Sequence, residues 1–219
     1  MDIDLRLYAL VDPAVAGDRT LVDIAGLIAG SATLVQLRDK HGSTRAMVEQ
    51  ARSLRDVLEP AGVPLLINDR VDVALAAEAD GVHVGQDDMS VPDARLLLGR
   101  TAIIGLSVST LRQAQNAPLE LLDYVGVGAV FATGSKDDAS APIGISGLRE
   151  IVRAIRTRAP GFPICGISGI NAGNAAEIIE AGADGVAVIS ALSLAPDPEQ
   201  AALDLRAVVD DALKQRRLP

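Results

Sequence analysis

The chain has 219 residues, 49% of them hydrophobic, and a formal net charge of -9. Its length and apolar content allow a sizeable buried core, in one α/β domain or in two small ones. The negative charge argues against general attraction to nucleic-acid phosphates, and the 2% aromatic content argues against a stacking surface for single strands.

The N-terminal stretch MDIDLRLYALVD carries acids where a signal peptide needs positive charge. No apolar run reaches the roughly 18 residues of a membrane span. Cys165 is the lone cysteine, so we expect it to pack as a small hydrophobe in a reducing compartment. These features predict a cytoplasmic protein with no membrane partner.

Short apolar runs of β type alternate with segments of helical spacing along the whole chain. Because the runs are apolar on both faces, they predict a parallel sheet covered by helices. Eight successive βα units without a linker predict a closed (β/α)8 TIM barrel, a single domain over residues 1–219, with a doubly wound open sheet as the alternative. The predicted strands are 5–11, 33–39, 63–69, 80–86, 102–107, 124–131, 163–168 and 184–190, and the predicted helices are 21–30, 44–59, 70–79, 91–99, 111–117, 147–159, 171–182 and 198–215.

One phrase occurs twice, as AAEADGVHVGQ and as IEAGADGVAVIS. Its two aspartates, Asp80 and Asp184, are separated by about half the chain. This spacing places the phrase on the fourth and eighth strands, as related half-barrels would. The repeat therefore favours the barrel over the open sheet.

Polar residues follow the apolar runs rather than precede them. In a barrel of this type, the carboxyl ends of the strands form the mouth where the working site lies. We therefore expect a polar site there. The second to eighth strands end in QLRDK, INDR, GQDD, GLS, TGSK, GISG and IS.

Two cations alternate at the end of the second strand, so that Arg38 and Lys40 can point the same way. With Lys136 they form a cluster suited to a polyphosphate, since a guanidinium fork binds oxygens in pairs and ammonium groups add compact charge. A solvated loop charge is the alternative for each of these residues taken alone.

Two carboxylates lie at the ends of the neighbouring third and fourth strands. Asp69 and Asp88 are spaced to hold a hard divalent cation, Mg²⁺, together with phosphate oxygens of a substrate. The alternative is that each residue caps the helix that follows it. Their joint position beside the cationic cluster favours the metal.

Glycines and a serine follow the last two strands, in GISGIN and AVIS. They place backbone N–H groups and Ser190 where barrels commonly bind a phosphomonoester, although glycines can also serve only to make tight turns. The mouth would thus take one ligand with a metal-bound pyrophosphate and one with a single phosphate. Joining the two with loss of pyrophosphate is the natural reaction class.

These residues resemble the thiamine-phosphate synthase family. The resemblance runs from LYALVD to AVISAL, and INDR…DGVHVGQDD with its internal spacing is specific. It implies a TIM-barrel transferase that condenses 4-amino-2-methyl-5-hydroxymethylpyrimidine diphosphate with 4-methyl-5-(2-phosphoethyl)thiazole to give thiamine phosphate and pyrophosphate. The implied mechanism is dissociative: pyrophosphate leaves, a pyrimidine-methyl cation forms, and the thiazole nitrogen captures it. The resemblance is carried by QLRDK, INDRVDVALAAEADGVHVGQDD, IGLSVST, YVGVGAVFATGSKDDA, GISGLREI, GISGIN and GADGVAVIS.

The resemblance also implies roles for individual residues and a Mg²⁺ cofactor. Arg38, Lys40, Ser107 and Lys136 would be the catalytic residues. The pyrophosphate would contact Arg38, Lys40, Asn68 and Lys136, the metal Asp69 and Asp88, the pyrimidine Gln36, the reacting centre Ser107, and the thiazole phosphate Thr133, Ser135, Gly169, Ile189 and Ser190. The partners would be these two small molecules, with a homo-oligomer left open. His83 alternates with two valines, and we expect a structural role for it.

Several positions depart from the family pattern. The loop after the sixth strand reads ATGSKD where the family has Pro-Thr-x-Thr-Lys-Lys, Ser168 replaces the first glycine of Gly-Gly-Ile, and Ser109 stands where a histidine is usual. A related barrel that tautomerises the thiazole phosphate uses that histidine, so Ser109 argues against an isomerase. A non-catalytic binding module is the third possibility, but it would not need a pyrophosphate and metal site.

Overall fold

Eight parallel strands close into one barrel in a computed structural model. The structure describes residues 3–134 and 141–217, and of residue 217 it describes the backbone only. Each strand pairs with its neighbours in the sequence, and β1 pairs with β8 to close the ring. The prediction of a TIM barrel is confirmed and the open sheet is wrong. The strands are β1 Leu7–Val11, β2 Leu34–Leu37, β3 Leu65–Asn68, β4 Gly81–Val84, β5 Ile103–Val108, β6 Tyr124–Val127, β7 Ile164–Ile167 and β8 Gly185–Val188.

Four of the described helices begin after a short polar side chain that caps them. Thr20 and Thr110 each form a capping box, while Ser43 and Ser90 accept a backbone N–H from the first turn of their helices. The helices are α1 Leu21–Ile28, α2 Thr44–Leu58, α3 Val71–Ala77, α4 Val91–Leu98, α5 Leu111–Asn116, α6 Gly144–Arg158, α7 Ala175–Glu180, α8 Ser190–Ser193 and α9 Pro198–Arg217. Sequence analysis missed α8, because four residues are too few to show helical spacing. Among the described helices, none is long and apolar enough to cross a membrane.

The apolar residues form two cores, one between strands and helices and one inside the barrel. The inner core contains both tyrosines, Tyr8 and Tyr124. Their rings pack edge to face, with their centroids 5.7 Å apart. A Cβ at Gly105 would overlap the Tyr124 ring, so a glycine is needed there. Cys165 is fully buried in the same core, as expected of a small hydrophobe.

The repeated Asp-Gly phrase braces the end of the barrel opposite the mouth. Asp80 Oδ2 accepts a hydrogen bond of 2.8 Å from the Leu65 backbone N–H, and Asp184 Oδ2 accepts one of 3.0 Å from that of Ile164. Each aspartate also donates its own backbone N–H to the carbonyl of the same partner residue. The repeat therefore serves stability at the amino-terminal face.

The glycine of the phrase has a steric reason. A Cβ at Gly81 would overlap the backbone of Ile103, and one at Gly185 would overlap the backbone of Leu5. Only glycine lets the adjacent segment pass this close. The same local requirement at β4 and β8 explains the repeat.

Candidate active site

A cavity of about 1010 Å³ lies at the carboxyl ends of the strands. Most of the predicted site residues line it, which confirms that the strand-end polar residues converge. Ser135 and Lys136 lie outside the described residues. The predicted residues at the cavity wall are Gln36, Arg38, Lys40, Asn68, Asp69, Asp88, Ser107, Thr133, Gly169, Ile189 and Ser190.

Arg38 is held by a buried ion pair that sequence analysis missed. Its guanidinium contacts Asp12 Oδ2, and the two residues are only 7% and 2% exposed. Asp12 follows β1 directly and also accepts a hydrogen bond of 2.9 Å from the Ala14 N–H. The ion pair with Asp12 restricts the orientation of the Arg38 guanidinium, which suits this group to bind an anion at the mouth.

The rule that found the other polar residues also applies to Asp12. It is the first polar residue after the first apolar run, LYALV, at the same place as Arg38 after β2. Sequence analysis considered only the ends of the second to eighth strands. Applying the rule to β1 would have found Asp12.

The end of β3 places a carboxylate between a cation and a second carboxylate. Lys40 Nζ lies 2.6 Å from Asp69 Oδ2, and Asn68 Nδ2 donates to the same oxygen at 2.7 Å. Burial raises the pKa of Asp69; the Lys40 hydrogen bond opposes this, and the adjacent Asp88 carboxyl adds to it. The pKa of Asp69 therefore depends on burial and on the opposing effects of Lys40 and Asp88.

Neither carboxylate caps a helix. The N-cap of α3 is Arg70 and that of α4 is Ser90, so the capping alternative is wrong for both aspartates. Asp88 Oδ2 instead accepts a hydrogen bond of 2.7 Å from the Gly85 backbone N–H. The φ angle of Asp69 is +61°, a left-handed conformation uncommon for residues other than glycine and frequent at functional sites.

The two aspartates are suited to supply part of the ligand set of a divalent cation. Asp69 and Asp88 are close enough to hydrogen-bond each other when one is protonated, and two like charges at this distance favour a shared cation. Within residues 3–134 and 141–217, no group of three or more His, Cys, Asp or Glu side chains is arranged for a metal. Mg²⁺ is usually held by one or two carboxylates plus phosphate oxygens and water, so this donor set suits it.

The opposite side of the cavity is built from turns after β7 and β8. Ser168 and Gly169 have φ angles of +74° and +70°, and Asn174 Nδ2 donates to the Gly169 carbonyl at 3.0 Å. A Cβ at Gly169 would overlap Phe131 and the Ala132 carbonyl, so this glycine is required by close approach. Gly169 and the α8 residue Ser190 face the same cavity as the β2 cations.

A chain of hydrogen-bonded polar side chains runs beneath the cavity through the barrel interior. Gln36 Nε2 donates to Tyr8 OH, Tyr8 OH lies 2.8 Å from Tyr124 OH, and Tyr124 OH lies 2.7 Å from His83 Nδ1. His83 Nε2 then lies 2.9 Å from Ser107 Oγ. Burial raises the pKa of both tyrosines. Sequence analysis named Gln36 and Ser107 at the two ends and expected a structural role for His83, while no pattern in the sequence pointed to the tyrosines.

Comparison with known proteins gives a consistent result. A family model described as thiamine monophosphate synthase matches residues 7–192. A thiamine-phosphate synthase of Xanthobacter autotrophicus is 52% identical over 209 residues, 94% of this chain and 96% of that protein. One from Chloroflexus aurantiacus is 50% identical over 208 residues, 94% of each chain.

Solved structures agree with these sequence relatives. A thiamine phosphate pyrophosphorylase from Pyrococcus furiosus superposes with a TM-score of 0.82 at 37% identity, covering 96% of this chain and 98% of that one. A 3-hexulose-6-phosphate synthase superposes with a TM-score of 0.63 at 16% identity, covering 93% of this chain and 99% of that one, and shares the fold alone.

Proposed function

The chain belongs to the thiamine monophosphate synthase family, and on this premise we propose that it is a transferase that makes thiamine phosphate. Its substrates would be 4-amino-2-methyl-5-hydroxymethylpyrimidine diphosphate and 4-methyl-5-(2-phosphoethyl)thiazole, and its second product pyrophosphate. The observation that carries this proposal is a single cavity with fixed cations and a carboxylate pair on one side and the Gly169 and Ser190 turns on the other. Two phosphorylated ligands can therefore meet in it.

The diphosphate would bind beside β2 and β3. Arg38, oriented by Asp12, would contact its oxygens in pairs, and Lys40 and Asn68 would add donors. Asp69 and Asp88 would hold Mg²⁺, which when bound would neutralise negative charge on the departing pyrophosphate. The prediction that Lys136 also contacts the pyrophosphate stays a prediction.

The reacting centre would lie over the floor of the barrel. Gln36 and Ser107 would face the pyrimidine, with its CH₂–O bond toward the cations. When this bond breaks, the electron pair leaves with the pyrophosphate oxygen, and the thiazole nitrogen then supplies the pair for the new C–N bond. Neither step needs a strong base, because fixed donors and cations stabilise the leaving charge.

The thiazole phosphate would bind at the far side of the cavity. Gly169, Ile189 and Ser190 would contact its phosphate, and Thr133 would line its pocket. Ser135 belongs to the same proposed pocket but lies outside the described residues. This arrangement would point the thiazole nitrogen toward the pyrimidine.

No observation favours the two other functions. Ser109 lines the cavity where a tautomerase would need a histidine, and its backbone N–H is held by Gln113 Oε1 at 2.7 Å. A binding module for the product would need neither the Arg38 and Asp12 pair nor two adjoining carboxylates. The synthase explains both features.

The test is to incubate the purified protein with both substrates and Mg²⁺, and to measure thiamine phosphate by thiochrome fluorescence and pyrophosphate by a coupled assay. Both products should appear in equal amounts, should vanish with EDTA, and should return with added Mg²⁺. Absence of product with both substrates would contradict the synthase. Full activity in EDTA would contradict the metal assignment alone.

A further inference from the structure

The five linked polar side chains, four of which line the cavity, have hydrogen bonds whose directions can be assigned. An amide nitrogen only donates, a tyrosine hydroxyl donates one hydrogen, and a neutral imidazole has one donor and one acceptor nitrogen. Gln36 Nε2 donates to Tyr8 OH, so the Tyr8 hydrogen is directed to Tyr124. The Tyr124 hydrogen is then directed to His83 Nδ1.

The far end of the chain follows from the same count. Because His83 Nδ1 accepts from Tyr124, the ring hydrogen of neutral His83 lies on Nε2 and is donated to Ser107 Oγ. The Ser107 hydroxyl hydrogen is therefore directed away from His83. Ser107 lines the cavity, so in this state it can donate a hydrogen bond to a ligand.

The reverse order exists if the Gln36 amide turns over. Its oxygen would then accept from Tyr8, every later hydrogen would reverse, and Ser107 would accept at the mouth instead of donating. We propose that Gln36, Tyr8, Tyr124, His83 and Ser107 form one directed hydrogen-bond relay, in which the orientation of the Gln36 amide sets the His83 tautomer and thereby the hydrogen-bonding role of Ser107. Tyr8, Tyr124 and His83 are its positioning residues.

The burial of the relay supports this coupling. Tyr8, Tyr124 and Gln36 are at most 1% exposed and His83 is 7% exposed, so water does not replace a lost partner easily. Burial also raises the pKa of both tyrosines, which keeps them protonated as donors. A buried hydroxyl that loses its direction would leave an unsatisfied group, at a cost in free energy.

One unsatisfied atom shows which end a ligand can set. Gln36 Oε1 is buried and has no hydrogen-bond partner among residues 3–134 and 141–216, and Gln36 lines the cavity. A ligand N–H at this oxygen, such as an amino group on a heteroaromatic ring, would hold the amide in the observed orientation. Ser107 would then be fixed as a donor on the other side of the barrel.

The consequence for catalysis rests on the proposed function. The aminopyrimidine would supply the N–H group to Gln36, and Ser107 would donate to an acceptor atom near the breaking bond. A ring without the amino group would leave the relay free to reverse. The relay would thus link recognition of the pyrimidine to the donor that stabilises the departing charge.

The relay itself is tested in ligand-free protein by the tautomer of His83. The chain has two histidines, of which His41 is exposed, so ¹⁵N-histidine labelling gives two imidazole spectra. Long-range ¹H–¹⁵N correlation should show His83 neutral, with Nε2 protonated and Nδ1 unprotonated. A proton on Nδ1, or on both nitrogens, would overturn the assigned direction.

Gln36→Leu tests whether the tautomer is set from a distance. Gln36 is separated from His83 by two tyrosines along the relay, yet its loss should shift the His83 nitrogen signals toward a mixture of both tautomers. Ile103→Val changes the same inner core without touching the relay, and should leave the wild-type tautomer. An unchanged tautomer in Gln36→Leu would overturn the relay. Neither result depends on whether the protein makes thiamine phosphate.

Kinetics then test the link to catalysis. Tyr124→Phe breaks the relay at a residue outside the cavity lining, so kcat should fall on the order of tenfold, comparable to loss of outer-shell partners elsewhere, while KM for the thiazole phosphate stays constant. Tyr8→Phe interrupts the relay one step earlier and serves if Tyr124→Phe folds poorly. Wild-type kcat in a folded variant with a mixed tautomer would overturn the positioning role.

Discussion

At the residue scale, the two carboxylates after β3 and β4 can be tested for metal binding by substitutions that hardly change the structure. Asp69→Asn and Asp88→Asn keep the shape of each side chain and remove its charge. Each substitution should lower kcat/KM more than about tenfold. The reason is that a bound metal would stabilise the charge of the transition state by on the order of 2 kcal/mol or more. Steady-state kinetics over a range of Mg²⁺ concentrations measure this loss.

Asp72→Asn is the matched control for these variants. Asp72 lies in the first turn of α3, exposed and paired with Arg70 at 2.6 Å. Its loss should leave kcat/KM within a factor of about two, since exposed ion pairs contribute little. If Asp69→Asn and Asp88→Asn, like Asp72→Asn, kept kcat/KM within about twofold of wild type, neither aspartate would belong to the proposed metal site.

Asp12 makes a second residue-scale prediction. Asp12→Asn removes the carboxylate charge from the buried ion pair with Arg38, and Asn can still accept a hydrogen bond from the Ala14 N–H. Breaking a buried ion pair costs about 3–5 kcal/mol, so the free energy of unfolding in urea should fall by an amount of that order. The control is Asp211→Asn, whose pair with Lys214 is exposed and should matter by less than about 1 kcal/mol. Equal stability of the two variants would contradict the structural importance of the Arg38 pair.

A third prediction concerns Ser168, because a serine occupies a backbone position that favours glycine. Its φ angle is +74°, where a side chain costs about 1–2 kcal/mol, while glycine loses about 0.5–1 kcal/mol more in chain entropy. Ser168→Gly should therefore be as stable as the native chain or up to about 1.5 kcal/mol more stable. Ser168→Ala retains the Cβ and should not gain. Thermal unfolding of both variants measures the difference, and a gain in the alanine variant would contradict the backbone explanation.

At the element scale, β1 and β6 carry the only two tyrosines of the chain into the barrel interior. Burial raises the pKa of both above the value of about 10 that an unfolded tyrosine has. The folded state therefore keeps these protons at a pH where the unfolded chain loses them. The contribution of the two tyrosines to the free energy of unfolding is complete below a pH of about 10 and is lost as the pH rises above that value.

Ultraviolet difference absorbance tests this prediction. Tyrosinate absorbance should stay low above pH of about 10 while the protein is folded, and should appear together with loss of circular dichroism at higher pH. Ionisation of either tyrosine near pH of about 10 in the folded protein would contradict the burial of the β1 and β6 side chains.

At the scale of the whole molecule, the closed barrel gives each strand two neighbours and joins the ends of the chain through β1 and β8. We predict that the chain is one cooperative domain, because no strand edge separates one half from the other. Unfolding in urea should give the same midpoint by circular dichroism and by tyrosine fluorescence. Two separated midpoints would contradict a single domain.

The sequence by itself determined the fold class and predicted the location of the candidate site. Apolar runs with helical segments between them require a covered parallel sheet, and polar residues after each run must converge where the carboxyl ends meet. For this reason the sequence predicts that Gln36, Arg38, Asp69 and Ser107 share one mouth, and in the structure all four line one cavity. Their chemical roles stay predictions.

Tertiary structure alone decided how those residues are held. Asp12 and Arg38 are 26 residues apart, and Tyr8 and Tyr124 are 116 apart, so no local pattern can show that they touch. The capping alternative for Asp69 and Asp88 also depended on where α3 and α4 begin, which the structure places at Val71 and Val91. Pairings inside a closed barrel join strands distant in sequence, because side chains from opposite walls meet only after the ring has closed.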